Sequence, residues 1–265
     1  MIRKNVTRII NRMHGDLAAA FPEFSDLLAI DSTTGIAILE EYATPERMAA
    51  ADPREMLQLM RKAGRNHRTP EDVEKLIRAA VTTIGIPDPD GVFAVRIQTN
   101  ARRLRNELSE LKRVEREMET RSSDNSDVRH LTEIKGIGPV NAAIIVSEIG
   151  SIKQFDSAVK LQSYGGKCPD ITGSGGKTHP AGITRVRNKY LSNAVYESAV
   201  SLVTHRSGEF LDLFNRELVK KKSRTEAYIV VAKRLLFHVY SIMKNDRAYR
   251  ERKPGKRGRE QVPVE

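Results

Sequence analysis

Cysteine is almost absent from this chain: Cys168 is the only one in 265 residues. A single thiol closes no intramolecular disulfide, and without a cluster of Cys and His there is no structural zinc signature. Long apolar runs are missing as well. No window approaches the roughly 18 apolar residues that a membrane span needs. The N-terminal MIRKNVTRII has neither the apolar core nor the small-residue cleavage site of a signal peptide. The expectation is a cytoplasmic protein with no membrane partner, no metal site and no cofactor of its own.

What the chain does have is positive charge, and it is unevenly spread. The formal net charge is +11. Residues 1–120 hold 19 basic and 19 acidic side chains, so the whole excess lies in residues 121–265. Charge confined to one region gives that region a field of its own, and nucleic acid is the common partner of a soluble basic domain.

Helical patterning dominates. Val6, Ile9, Ile10, Met13 and Leu17 recur at three- and four-residue steps, which predicts an amphipathic helix over 2–20, ended by Pro22. Short helical patterns follow at 26–30, 36–42, 54–62 and 70–85, two of them opened by a capping residue and proline, Asp52-Pro53 and Thr69-Pro70. Ile86-Pro87-Asp88-Pro89-Asp90-Gly91 breaks the pattern. Across 94–120, Ile97, Ala101, Leu104, Leu108, Leu111 and Met118 make a coiled-coil seam, interrupted at Glu115. Its partner is a second copy or an earlier helix of the same chain; a homo-oligomer joined through the coiled coil is the expectation. Further helical patterns cover 188–203 and 226–243.

The sharpest signals lie between Leu131 and Leu191. Lys135-Gly136-Ile137-Gly138-Pro139 separates two apolar helical segments. Glycines there let backbone amides around the turn and the following helix start point outward together, the pattern of a helix-hairpin-helix that grips a backbone phosphate through Lys135, Gly136, Ile137 and Gly138. Next comes the loop Gly173-Ser174-Gly175-Gly176-Lys177-Thr178, with Arg185, Arg187 and Lys189 close behind as further cations for DNA. Gly176-Lys177-Thr178 imitates the end of a P-loop, but Ile171 stands where the first glycine is required and Pro180 where a helix must start. After residue 245 a cationic tail rich in Gly and Pro is expected to be disordered.

Several motifs together carry a resemblance. They are LTEIKGIGPVNAAIIVSEIG, Gln154-Phe155-Asp156-Ser157, Tyr164-Gly165-Gly166, Pro169 followed by Ser174-Gly175, and Gly182-Ile183-Thr184 leading to Asn188-x-Tyr190-Leu191. The chain resembles the bacterial and archaeal insertion-sequence transposases that join an N-terminal RNase H-like (resolvase-like) domain to a C-terminal serine transposase domain, some of them guided by a bridging RNA. The match covers roughly 131–249, and FPEF at 21–24 and LEEYATPERMAAA at 39–51 look like the family's middle region. Family members usually carry glycine before the equivalent of Asn188 and arginine after that of Leu191; this chain has Arg187 and Ser192.

The resemblance implies a mainly α fold: a helical N-terminal region (1–92), a coiled-coil helix and hinge (93–127), a helix-hairpin-helix serine transposase domain (128–245) and a basic tail (246–265). It implies DNA strand cleavage and transfer through a phosphoserine link at Ser174, DNA as partner and, in some members, a guide RNA. The family's metal-binding RNase H-like domain has no counterpart here, so the expectation is an N-terminally shortened transposase, with Mg2+ required only where a partner supplies that domain. A non-catalytic DNA- or RNA-binding remnant is the alternative. A hairpin-containing nuclease or glycosylase ranks lower, because no carboxylate or lysine stands at a recognisable catalytic spacing.

Overall fold

The computed structural model describes residues 2–64, 67–167, 169–174, 177–183, 187–220 and 223–250, and within 169–174 and 177–183 only the backbone. The chain divides into two units, Met1–Glu115 and Arg116–Glu265. The fold is mainly α, with thirteen α-helices and one two-stranded sheet among the described residues. None of these helices is long and apolar enough to cross a membrane.

Unit 1 holds α1 (Ile2–Ala20), α2 (Phe24–Leu27), α3 (Thr33–Glu41), α4 (Pro45–Ala49), α5 (Pro53–Ala63), α6 (Pro70–Val81) and most of α7 (Val92–Ser122). Local chemistry sets the starts. Proline occupies the first turn of α4, α5 and α6, where its missing N–H costs nothing. Ser32 and Asp52 accept from the first-turn amides of α3 and α5, and Thr69 with Asp72 forms a reciprocal capping box on α6. The buried faces of these helices meet in one apolar core built on Met13, Leu17, Phe21, Phe24, Leu39 and Met60.

The seam of α7 belongs to this core. Ile97, Ala101 and Leu104 are fully buried among the residues of unit 1, and Leu108 packs against them. Helix α1 runs antiparallel to α7 and is tied to it by Arg3 to Glu115 (2.9 Å), Asn5 to Glu107 (3.1 Å) and Arg96 to Asp16 (2.5 Å). This corrects the expected coiled-coil dimer over the first two heptads: those positions are filled by the chain itself. Glu115 breaks the apolar seam because it is the partner of Arg3.

Unit 2 contains α8 (Ser126–Thr132), α9 (Pro139–Ile149), α10 (Ala158–Tyr164), β1 (Pro169–Ser174), β2 (Lys177–Ile183), α11 (Lys189–Thr204), α12 (Gly208–Val219) and α13 (Arg224–Asn245). Its core is centred on α13, where Val231, Ala232, Leu235, Leu236 and Val239 have no exposed surface. Ser223 and Glu226 form a capping box at the start of α13. The sequence reading assigned no element to α12, whose Phe210 and Phe214 are buried in the same core.

A polar knot fixes the end of α13. Glu209 of α12 accepts from Tyr249 Oη (2.8 Å) and Arg234 (3.1 Å), and His238 Nε2 stands 2.8 Å away. Burial pushes the Glu209 carboxyl up, but the close approach of His238, the bond from Tyr249 and that from Arg234 outweigh it and hold it at about 2. A carboxyl lowered on folding contributes stability above its unfolded value of 4.5, and that stability disappears as pH falls through the folded value. Relative to Glu209→Gln, the wild-type chain is therefore expected to lose about 2 kcal/mol between pH 4.5 and 2, after allowing for solvent screening. Urea titrations of both proteins across that range check it; parallel pH profiles would refute the knot.

Candidate nucleic-acid interface

Two features of unit 2 bear on nucleic acid, and helix α11 separates them. The first is the turn between α8 and α9. Leu131, Ile134 and Ile137 are buried, while Lys135 and Gly138 are exposed. Ile137 thus contributes its backbone at most, since its side chain is in the core. Gly136 has φ +109°, and an added Cβ there would stand 3.0 Å from Leu202 Cα, 3.1 Å from Leu202 N and 3.2 Å from Ser201 C. Gly138 precedes α9 with no capping side chain, and the first intrahelical bond is Ala142 N–H to Gly138 O (3.0 Å). The amides of Val140 and Asn141 therefore have no intrahelical acceptor, and the helix dipole adds positive potential where they emerge.

The second feature is a β-hairpin where the sequence pattern suggested a loop. β1 and β2 pair antiparallel, with Gly173 opposite Thr178 and Ser174 opposite Lys177, so a two-residue connection joins them. Pro180 pairs with Ile171 inside the hairpin, and the ladder is irregular between Pro169 and Ile171. Ser174 ends β1 and Lys177 begins β2; of both, only the backbone belongs to the description above. Gly175, Gly176 and Arg185 lie outside the described residues.

The stem of this hairpin is tied down by Asn188, Tyr164 and Glu148, which belong to the motifs that carry the resemblance, and by Lys167, to which the sequence reading gave no role. Asn188 caps α11 by accepting from the Tyr190 and Leu191 amides, while its Nδ2 donates to Glu148 Oε2 (2.8 Å) and Tyr164 Oη (2.9 Å). Its own amide donates to Tyr164 O (2.9 Å), which holds the returning strand against the end of α10. On the outgoing side, Lys167 is 6% exposed, donates to Ser192 Oγ (3.1 Å) and stands 5.7 Å from the Tyr196 ring centroid. The stem of Arg187 lies against Gly166, whose φ of +64° leaves room that a side chain would take: an added Cβ would stand 2.2 Å from Arg187 Cδ. Lys189, in the first turn of α11, is exposed. Ser192, where the resembled family carries arginine, thus receives a cation from Lys167 instead.

Lys167 is the unusual group in this set. Burial pushes its ammonium down to about 8, and the Arg187 charge pushes the same way. Because the folded value lies below the ordinary 10.5, the folded protein sheds the proton first, and stability rises as pH climbs from about 8 towards 10.5. The difference in unfolding free energy between wild type and Lys167→Met should grow by up to about 1.4 kcal/mol per pH unit across that window. Denaturant titrations at stepped alkaline pH measure it, and a constant difference would show that the charge is not desolvated.

The structure separates what the sequence joins. Glu148 and Asn188 meet at one end of the antiparallel pair α9 and α11, and Gly136 and Leu202 meet at the other. From Asn188 to Leu202 is about 21 Å at 1.5 Å per residue. The glycine turn and the hairpin stem therefore stand at opposite ends of α11, the separation of about six base-pair steps of roughly 3.4 Å each.

Residues 128–215 match the model of the Transposase IS116/IS110/IS902 family. A protein of Streptomyces coelicolor described as an insertion element IS110 uncharacterized 43.6 kDa protein is 23% identical over 255 residues, 94% of this chain and 61% of its own length. The transposase for insertion sequence element IS1328 of Yersinia enterocolitica is 24% identical over 139 residues, 51% of this chain and 42% of that protein. A probable family 20 transposase of Pseudomonas aeruginosa is 24% identical over 106 residues, covering 38% and 31%. The chain spans about three fifths of the first relative's length and less of the other two. Residues 128–215, which contain the glycine turn, the stem and the β-hairpin, thus carry the sequence pattern of an IS116/IS110/IS902-type transposase domain.

Proposed function

We propose that unit 2 binds duplex DNA and that Ser174 attacks a phosphodiester in it, as in strand cleavage and transfer by an insertion-sequence transposase. The observation that carries this reading is the pairing of Ser174 with Lys177 at the closing end of the hairpin, inside the stretch that matches the transposase model. A serine hydroxyl is a poor nucleophile, and a cation opposite it in the register supplies positive potential for the charge that builds on phosphorus-bound oxygens. In the step itself, Ser174 Oγ gives up its proton and forms a bond to phosphorus. The bond from phosphorus to one sugar oxygen breaks, and that oxygen leaves as a hydroxyl after taking a proton. Attack on the phosphoserine by a sugar hydroxyl of another strand reverses the exchange and completes transfer.

The remaining residues hold and position. Asn188, Tyr164 and Glu148 anchor the returning strand of the hairpin, and Lys167 with Ser192 anchors the outgoing one. Lys135 and the amides after Gly138 grip a second phosphate without reading sequence, and Arg185, Arg187 and Lys189 add counter-charge. Among the described residues no three His, Cys, Asp or Glu side chains converge as a metal ion would need.

Covalent capture tests the reading. The chain is incubated with labelled duplex DNA, with and without magnesium, then denatured, and protein-linked DNA is scored in wild type and Ser174→Ala. An adduct released by alkaline β-elimination in wild type alone supports the phosphoserine. Persistence of the adduct in Ser174→Ala, or no adduct in either protein, overturns the nucleophile assignment. Ribonuclease treatment of the purified chain before the assay reveals whether a guide RNA contributes.

A further inference from the structure

Residues 1–120 are electrically balanced, yet their charges are sorted in space. Along the outer face of α1, Lys4, Arg8 and Arg12 follow one another at four-residue steps and line a shallow groove of about 570 Å³. Arg12 also lines a second concavity, of about 430 Å³, with Arg96, Asn100 and Arg103 of α7. The two are therefore one continuous surface across the antiparallel pair. Among the described residues, no acidic side chain pairs with Lys4, Arg8, Arg12 or Arg103. Glu115 and the buried Asp16 neutralise Arg3 and Arg96, which line the same surface, and Glu40 pairs with Arg105, so the four remaining cations keep their charge uncompensated.

A second observation singles out the same surface. Asn100 is 8% exposed and lines the groove, and its amide bonds to no described group. Water reaches that amide in the free chain, since it is not one of the buried polar atoms without a partner, and from there it can donate to a phosphate oxygen. Around it stand arginines, whose planar fork matches phosphate oxygens in pairs. The lining contains no aromatic ring, so the groove has no platform on which unpaired bases could stack. Lys4 to Arg12 covers about 12 Å of helix, the reach of three to four base-pair steps at roughly 3.4 Å each.

We propose that this face of α1 and α7 is a second nucleic-acid contact, holding the sugar-phosphate backbone of a paired strand, with Lys4, Arg8, Arg12 and Arg103 neutralising phosphate and Asn100 completing the site. The ligand class rests on the nucleic-acid reading above; the surface does not involve Ser174 or any residue of unit 2. A basic face on a region of zero net charge attracts a duplex at short range only, within about a Debye length of 8–10 Å. It therefore acts as a clamp on nucleic acid already recruited, and its removal is felt as a faster release.

Fluorescence anisotropy on the full chain tests this, with a DNA duplex, a base-paired RNA stem and a single strand of equal length. The groove variant is Lys4→Ala/Arg8→Ala/Arg12→Ala/Arg103→Ala. A charge-matched control is Lys62→Ala/Lys75→Ala/Arg78→Ala/Lys112→Ala, none of which lines the groove. The groove variant is expected to bind the duplex at least about tenfold more weakly at 0.1 M salt, with a salt slope shallower by up to about 3.6, since each of the four lost phosphate contacts removes roughly 0.9. The RNA stem should follow the duplex if backbone alone is held. A groove variant indistinguishable from the control overturns the proposal, and an equal loss on the single strand overturns its assignment to a paired ligand. Lys135→Ala/Lys189→Ala, assayed in parallel, separates the two readings. Loss there but not in the groove variant refutes the clamp alone; loss in the groove variant but not there refutes the reading of unit 2 alone.

Discussion

Substituting Ser174 by alanine is expected to erase the protein-linked DNA while leaving duplex affinity within about twofold of wild type. The substitution deletes one oxygen at the closing end of the hairpin. The register there is held by backbone hydrogen bonds, and the stem by Asn188 and Lys167. None of these bonds needs the Ser174 hydroxyl, and alanine fits an extended backbone. Loss of a covalent nucleophile removes at least about 10³-fold of rate in enzymes that depend on one, well beyond any effect on binding. Capture and affinity must therefore part company in this variant. If affinity fell together with capture, Ser174 would be a structural residue of the hairpin, and the reading of unit 2 as a phosphoryl-transfer unit would fail.

Alanine at Gly136 is expected to destabilise unit 2 by about 3 kcal/mol, whereas alanine at Gly138 should cost less than about 0.5 kcal/mol. The sequence pattern treats these two glycines alike. In the structure Gly136 has φ +109° and faces the backbone of α11, so a methyl group meets both conformational strain and atoms that cannot step aside. Gly138 has φ −78°, and a Cβ there would meet nothing within 4 Å. Chemical denaturation of the two single variants measures the contrast, and equal costs would mean that the close approach of the turn to α11 is wrong. The result also divides the roles of the motif. Gly136 seats the turn on α11, and Gly138 leaves the start of α9 open to a ligand.

Much of the helical plan was legible because it is written in short-range chemistry. Pro53, Pro70, Asp52 and Thr69 mark helix starts through bonds to amides two or three residues away, and the apolar spacing of 2–20 and 226–243 names the faces that are buried. The glycine turn was legible for the same reason. The hairpin of 169–183 was not, because Gly and Pro in its strands suppress the alternation by which a strand is recognised. The Lys167 site was also hidden. One lysine before a cysteine and one serine in a helix carry no periodic signal, and their meeting depends on how α10 and α11 come together. The one hint was the serine standing where the resembled family has arginine.

By itself the sequence determined the helical class, the positions of the caps and the turn, the basic bias of the second half, and the resemblance that leads to Ser174. Only the tertiary structure decided which surfaces those pieces form. It placed the first two heptads of the α7 seam in the core of unit 1, set the glycine turn and the hairpin stem at opposite ends of α11, and sorted the balanced charges of residues 1–120 into one basic face. The physical reason is the range of the interactions. Caps, turns and periodicity act over a few residues and can be read along the chain, whereas the choice of a packing partner is made between apolar faces far apart in sequence, any of which would serve the hydrophobic effect nearly as well.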